Sequence, residues 1–384
     1  MKYNKLGTSD IEVSEYTLGC WPFAGGDVWG DQDDADSIAA VHASLDAGIN
    51  FFDTAEGYGA GKSEEVLGKA LEGKRDQAVI VTKVGDSHLS PEDVRNSCEN
   101  SLSRMCTDYI DLYLIHWPNH DIPIADTMGA LQALVDEGKV RALGVCNFGV
   151  KDLSDLLEVG HIEVNQLPYS LLWRPIEYEI FPKCRQHNIG LMTYSPLMQG
   201  LLANRYANAE EVPDGIARSR HFASTRPQAV HGQQGMEEEL FEMIALYGEV
   251  CQRIGQPMAH VALAWVRAHE GVSSVLVGAR NADEVAMNLP AFDLTLPDDI
   301  VKELDDLTEG IKSNLGSNPD MWRGENRMRL FLRRESLNSI LAIYPSPRLN
   351  FFFSDSLASL TPPASDSKVA VSSLVFLTHC FHSV

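Results

Sequence analysis

Four residues in the first third of the chain have types and positions that suit chemistry: Asp53, Tyr58, Lys83 and His116. Asp53, Lys83 and His116 each close a short apolar run, and Tyr58 stands in the glycine-rich loop Glu56-Gly57-Tyr58-Gly59 that follows Asp53. A phenol with an ordinary pKa near ~10 is a poor proton donor at neutral pH unless positive charge stabilises its phenolate. Lys83 can supply that charge, and Asp53 can hold the ammonium in place. His116 can donate a second hydrogen bond to the oxygen that Tyr58 protonates, so a developing alkoxide would meet two donors. Singly, each has a plainer reading, since an aspartate after a strand commonly caps a turn and a tyrosine beside glycines commonly decorates a loop. Their coincidence at strand ends carries the signal.

The elements that must position them follow from the pattern of apolar runs. Strands are expected near Thr17-Gly19, Asn50-Thr54, Ala78-Val84, Tyr109-Trp117, Val140-Cys146, Glu163-Leu167, Gly190-Ser195 and Ser273-Gly278. Helical patterns run from Asp33 to Ala47, Ser63 to Leu71, Ser90 to Met105 and Ile124 to Asp136. Four more run from Asp152 to Leu157, Tyr178 to His187, Met258 to His269 and Ala282 to Leu289. Alternating strands and helices imply a parallel sheet with helical crossovers, and eight such units imply closure into a (β/α)8 TIM barrel. An open doubly wound sheet lacks the G-x-G-x-x-G that would follow its first strand. Pro91 and the pair Ser90 and Asp93 mark a helix start, and Gly48, Gly73, Gly138, Gly160 and Gly271 follow helical segments as C-terminal caps.

Three pieces stand outside the repeat. Met1 to Ser14 reads as a β-hairpin, turning at Thr8-Ser9-Asp10, that can plug the barrel bottom. Leu197 to Gly235 reads as a long polar loop, and such a loop in a compact domain is more often functional than idle. The barrel domain is expected over residues 1–329. Residues 330–384 are serine-rich and read as an unstructured tail.

Composition sets outer limits. Hydrophobic residues make up 44% and charged ones 22%, enough to bury a full core. A net charge of -23 opposes nucleic acid and anionic membrane surfaces as main partners. The seven cysteines are scattered, without a C-x-x-C pair, and fit reduced thiols; no run approaches the ~20 apolar residues of a membrane span. A cytoplasmic location and a monomer are the expectations. His116 and His120 share a spacing of four, but Pro118 between them breaks a helix, so no metal site is expected.

The run from Gly48 to Gly59 resembles the first signature of the aldo-keto reductase superfamily. Ser63 to Gly68, Val81-Thr82-Lys83, Asp111 to His116 and Gly144 to Phe148 match in order. Asn165-Gln166, Tyr194 to Leu197 and Gly278-Ala279-Arg280 continue the match, which covers the chain from about Lys5 to Arg329. The resemblance implies an NADPH-dependent oxidoreductase that moves a hydride between nicotinamide and an aldehyde or ketone, or the corresponding alcohol, sugars and polyols included. It implies Tyr58 as proton donor, with Asp53, Lys83 and His116 tuning and orienting it. Asn147 and Gln166 would hold the nicotinamide carboxamide, and Tyr194 would stack on the ring. Ser195, Leu197, Gly200, Gly278, Arg280, Glu284 and Asn288 would complete the NADPH (NADP+) site, with Arg280 paired to the 2'-phosphate. Glu284 departs from the glutamine common in relatives, and its charge works against strong selectivity for the phosphorylated cofactor. Trp21 and Trp117 are candidates for the substrate pocket. A rival reading is a non-enzymatic, NADPH-binding regulatory subunit, which the intact Asp53, Tyr58, Lys83 and His116 set weakens. A barrel isomerase or lyase without a redox cofactor conflicts with Asn147, Gln166, Tyr194 and Arg280 occurring together.

Overall fold

The computed structural model describes residues 1–323 and 327–330. The tail expected over 330–384 therefore falls, from residue 331 onward, outside the described residues.

Eight parallel strands close into a barrel in the order β10-β3-β4-β5-β6-β7-β8-β9. They are β3 (Tyr16–Gly19), β4 (Phe51–Asp53), β5 (Val79–Val84), β6 (Ile110–Ile115), β7 (Val140–Cys146), β8 (Val164–Pro168), β9 (Gly190–Tyr194) and β10 (Val272–Gly278). All eight match the sequence reading to within a residue or two at each end. The hairpin is present as β1 (Tyr3–Lys5) and β2 (Glu12–Ser14), paired antiparallel with Tyr3 opposite Ser14. It closes the end of the barrel where the strands begin: Leu6, Ile11 and Val13 pack with Phe51, Val79, Leu112 and Val164 in one cluster.

Side chains of a strand alternate between two faces, and the two apolar clusters follow that alternation. Leu112 and Leu114 point into the barrel, whereas Tyr113 and Ile115 face the surrounding helices. The helical layer comprises α1 (Gly26–Trp29), α2 (Asp34–Asp46), α3 (Lys62–Ala70), α4 (Pro91–Arg104), α5 (Ile124–Asp136) and α6 (Val150–Leu157). It continues with α7 (Ile180–Gln186), α8 (Glu237–Ile254), α9 (Met258–Ala268), α10 (Ala282–Asn288), α11 (Pro290–Asp293) and α12 (Asp298–Leu315). Helix α4 starts as its sequence predicts: Ser90 Oγ accepts from Asp93 N, and Pro91 occupies the first turn, where a missing N–H costs nothing. Gly48 ends α2 with φ +80°, a conformation that disfavours any residue with a Cβ. Gly160, expected to do likewise after α6, keeps a negative φ; instead a Cβ there would meet Met128 Cε at 2.7 Å.

Helices α8 and α12, each of 18 residues, are additions to the eight-unit repeat and pack against each other. The polar loop before α8 is anchored rather than loose. Arg220, 3% exposed, donates to the carbonyls of Leu315 (2.7 Å) and Asn318 (2.8 Å), and the buried His221 ring nitrogen sits 2.7 Å from Leu172 O. No helix among the described residues is long and apolar enough to cross a membrane.

Candidate active site

Strand parity decides which side chains meet at the barrel mouth. In β4 the inward Phe51 is followed two residues later by Asp53; in β5 Val79 and Val81 are followed by Lys83; in β6 Leu112 and Leu114 are followed by His116. The same count brings Cys146 above Ala142, Gln166 above Val164 and Tyr194 above Met192. Six strands thus place polar groups one layer above an apolar interior, at the C-terminal end where barrel sites form.

Lys83 is fully buried and Asp53 2% exposed. Lys83 Nζ donates to Asp53 Oδ1 at 2.7 Å, to Thr54 O at 2.8 Å and to Tyr58 Oη at 3.2 Å. An ammonium has three donors and no acceptor, so every Lys83 N–H is engaged. Tyr58 Oη is an acceptor in that contact, and its own proton is left to point elsewhere. The second carboxylate oxygen of Asp53 accepts from Gln166 Nε2 at 2.7 Å. A buried ion pair is tolerable only with such satisfaction, because desolvation opposes both charges.

Burial raises the Asp53 carboxyl, with Lys83 and Gln166 opposing it. For Lys83, burial pulls the ammonium pKa down, but Asp53, Tyr58 and Cys146 outweigh that and hold it above its ordinary value. Tyr58 is pushed up by burial more than Lys83 pulls it down. Lys83 acts in the expected direction, but burial is the larger effect, and Tyr58 keeps its proton at neutral pH. His116 is pushed down to about 3 by burial, Lys83 and Arg327, so its imidazole is neutral.

The rings pack around the phenol. His116 meets Tyr58 edge-on at 5.7 Å between centroids, and Trp21 stacks on Tyr58 at 5.7 Å and 21°. Trp29 packs edge-on against Trp21 at 5.5 Å. Trp117 lies under the Arg327 guanidinium, 3.5 Å from Cζ to the ring centroid.

A second group of candidates continues around the rim. Tyr194 Oη donates to Asn147 Oδ1 at 2.8 Å, and Asn147 Nδ2 donates to His116 O at 3.1 Å. Asn147 (φ 63°), Ser195 (56°), Met198 (45°), Gln199 (55°) and Asn204 (54°) are left-handed, a conformation costly for residues with a Cβ; Leu197 and Gly200 lie in the same strained stretch. Gly278 is exposed at the end of β10. Arg280 Nε donates to Gln32 Oε1 and Nη2 to Asp31 O, both at 2.9 Å, while Gln32 Nε2 returns a bond to Arg280 O at 2.8 Å. Glu284 Oε2 takes the backbone N–H of Arg280 at 2.8 Å, and Asn288 Nδ2 turns to Glu284 O at 2.9 Å.

The aldo/keto reductase family model matches residues 16–309, which span all eight barrel strands and all of these positions except Arg327. The chain belongs to that family. Among its relatives, an Escherichia coli NADH-specific methylglyoxal reductase is 35% identical over 321 residues, covering 78% of this chain and 95% of that protein. A glycerol dehydrogenase from Gluconobacter oxydans superposes with a TM-score of 0.70 at 31% identity, covering 83% of this chain and 97% of that one. An aldo-keto reductase from Klebsiella pneumoniae, solved in complex with NADPH, gives a TM-score of 0.64 at 32% identity, covering 80% and 95%.

In this aldo/keto reductase barrel, Asp53, Tyr58, Lys83, His116 and Gln166 form one cluster, Asn147 and Tyr194 adjoin it through His116, and Arg280, Glu284 and Asn288 stand apart on the β10 side. Sequence reasoning missed Thr54 O, Cys146, Trp29, Gln32 and Arg327. Cys146 had a findable signal, since strand parity points it inward beside Lys83. Gln32 and Arg327 had none, because the Arg280 and Trp117 side chains they meet are remote from them in sequence.

Proposed function

We propose that the protein is a nicotinamide-dependent oxidoreductase interconverting a carbonyl compound and its alcohol, with Tyr58 as the general acid and base. The observation that carries this reading is the full use of the three Lys83 donors. Since Tyr58 Oη accepts from Lys83, its O–H is directed to a substrate oxygen. Proton donation leaves a phenolate beside an ammonium, which lowers the cost of the charge. Asp53 fixes that ammonium, and neutral His116 has a ring N–H for the same oxygen. In oxidation, Tyr58 takes the proton back. A reduced nicotinamide, when bound, supplies the hydride.

The residues present fit such a dinucleotide. The Arg280 guanidinium is held by the neutral acceptors Gln32 Oε1 and Asp31 O, and no carboxylate pairs with it among the described residues. Its charge therefore remains available to a phosphate. Glu284 occupies itself with the Arg280 backbone, which reduces its opposition to an anion. We assign Asn147, Gln166 and Tyr194 to the nicotinamide end, with Ser195, Leu197, Gly200, Gly278 and Asn288 along the rest of the cofactor. Trp21 and Trp117 line the substrate entrance. We further infer a preference for NADPH over NADH through Arg280. One similar protein is named NADH-specific and another was solved with NADPH, so membership of the family does not by itself fix the choice.

Fluorescence titration with NADPH and NADH, followed by absorbance loss on adding aldehydes and ketones, tests the reading. Tight binding of NADPH with turnover is expected, and Arg280→Ala should weaken NADPH about 10- to 100-fold while changing NADH little. Absence of binding by either nucleotide would overturn the reading. Binding without any turnover would favour a regulatory subunit.

A further inference from the structure

Beyond α12 the chain returns to the barrel rim, and two arginines fasten it there. Arg329 donates its backbone N–H and Nε to the buried Asp152 at 2.8 Å, at the start of α6. Arg327 is set differently. Asp320, fully buried, accepts from the backbone N–H groups of Trp322 (2.9 Å) and Arg323 (3.0 Å) and from Arg327 Nε and Nη2, both at 2.9 Å. The guanidinium also lies over Trp117, the residue after His116, with Cζ 3.5 Å from the ring centroid. One edge is thus fixed by a carboxylate and one face by an indole. Nη1 has no hydrogen-bond partner among the described residues, and the side chain is 25% exposed. Its positive charge acts on both His116, which follows β6, and Tyr194, which ends β9.

We propose that Arg327 is a specificity-determining residue: through Nη1 it hydrogen-bonds a hydroxyl on the carbon chain of the carbonyl substrate, selecting small hydroxylated aldehydes and ketones over their unsubstituted analogues. The proposal rests on the oxidoreductase reading above and narrows its substrate class. A guanidinium has only donors, so its complement is an acceptor oxygen. A hydroxyl suits the site better than a carboxylate because Asp320 already balances Arg327 and the chain carries a net charge of -23, which repels anions at long range. Trp21, stacked on Tyr58, and Trp117, under Arg327, leave their remaining ring surface for the carbon backbone of such a compound.

The test compares kcat and KM for glyceraldehyde and propanal, equal in carbon number, in the wild type, Arg327→Met and Arg327→Lys. The lysine variant keeps a cation for Asp320 and so preserves the fold, but an ammonium lacks the planar fork that serves two partners at once. The wild type should favour glyceraldehyde. Both variants should lose about 10- to 100-fold in kcat/KM for glyceraldehyde, mainly through KM, with propanal changed less than about threefold. Equal losses on both aldehydes, or none, would overturn the proposal, as would a wild-type preference for succinate semialdehyde that Arg327→Lys abolishes. Propanal reduced without a hydroxyl preference would sink this proposal alone. No turnover of any aldehyde with either nucleotide would sink the oxidoreductase reading with it.

Discussion

In the proposed mechanism Lys83 is the residue on which the chemistry turns, because its three donors bind Asp53, the Thr54 carbonyl and Tyr58 at once. Lys83→Met should cost activity and stability together. It removes the cation beside a nascent phenolate and leaves the Asp53 carboxylate buried with only Gln166. We expect kcat to fall by at least ~10²-fold and denaturant unfolding to show a loss of about 3–5 kcal/mol, the cost of an uncompensated buried charge. A variant with unchanged stability would show that Asp53 does not need this partner. Asp53, Lys83 and His116 were legible in the sequence because each stands one inward step beyond apolar strand residues, and Tyr58 because it sits in the glycine-rich loop that follows Asp53. The pairing of Arg280 with Gln32 was not, since the two lie 248 residues apart and meet only when β10 closes against β3. Arg327 was hidden because the Trp117 ring that brings it to the site is remote in sequence, although its carboxylate partner Asp320 is near.

At the scale of elements, the strands and most helices were readable from apolar runs, proline starts and glycine ends. Helices α8 and α12 were passed over, although Leu240, Met243, Ile244, Tyr247 and Cys251 recur at helical spacing. They fall outside the strand-helix alternation that organises the rest, so the repeat pattern gave no cue to them. The C-terminal return is an element too, and one glycine tests its coupling to the site. Gly149 has an ordinary φ, but a Cβ there would meet Arg329 O at 2.4 Å. Gly149→Ala should therefore unseat residues 327–330 from α6 without straining its own backbone. Faster limited proteolysis between residues 316 and 330 is expected, together with a reduced glyceraldehyde preference. Unaltered proteolysis would mean that α6 does not hold the segment.

For the whole molecule, two buried histidines couple stability to pH. His116 is pushed down to about 3 and His221 to about 4, each chiefly by burial. An unfolded histidine titrates near ~6.5, so between about pH 6.5 and 4 the unfolded chain binds more protons and stability falls as pH falls. Melting temperatures should drop from pH 7.5 to 4.5, and His221→Gln should show a smaller drop over that window, whatever its absolute stability. An equal drop would exclude His221 from the coupling. The barrel and hairpin were legible at this scale. The lock between the 204–236 loop and the α12 end was not, because it depends on Arg220 reaching carbonyls about 95 residues away.

The most direct measurement is the kinetics of Tyr58→Phe beside a nucleotide titration of the same variant. The substitution keeps the ring against Trp21 and His116 and removes only the hydroxyl. If Tyr58 is the proton donor, carbonyl reduction falls by about 10²- to 10⁴-fold while nucleotide affinity is nearly unchanged. Turnover equal to that of the wild type would remove Tyr58 from the mechanism.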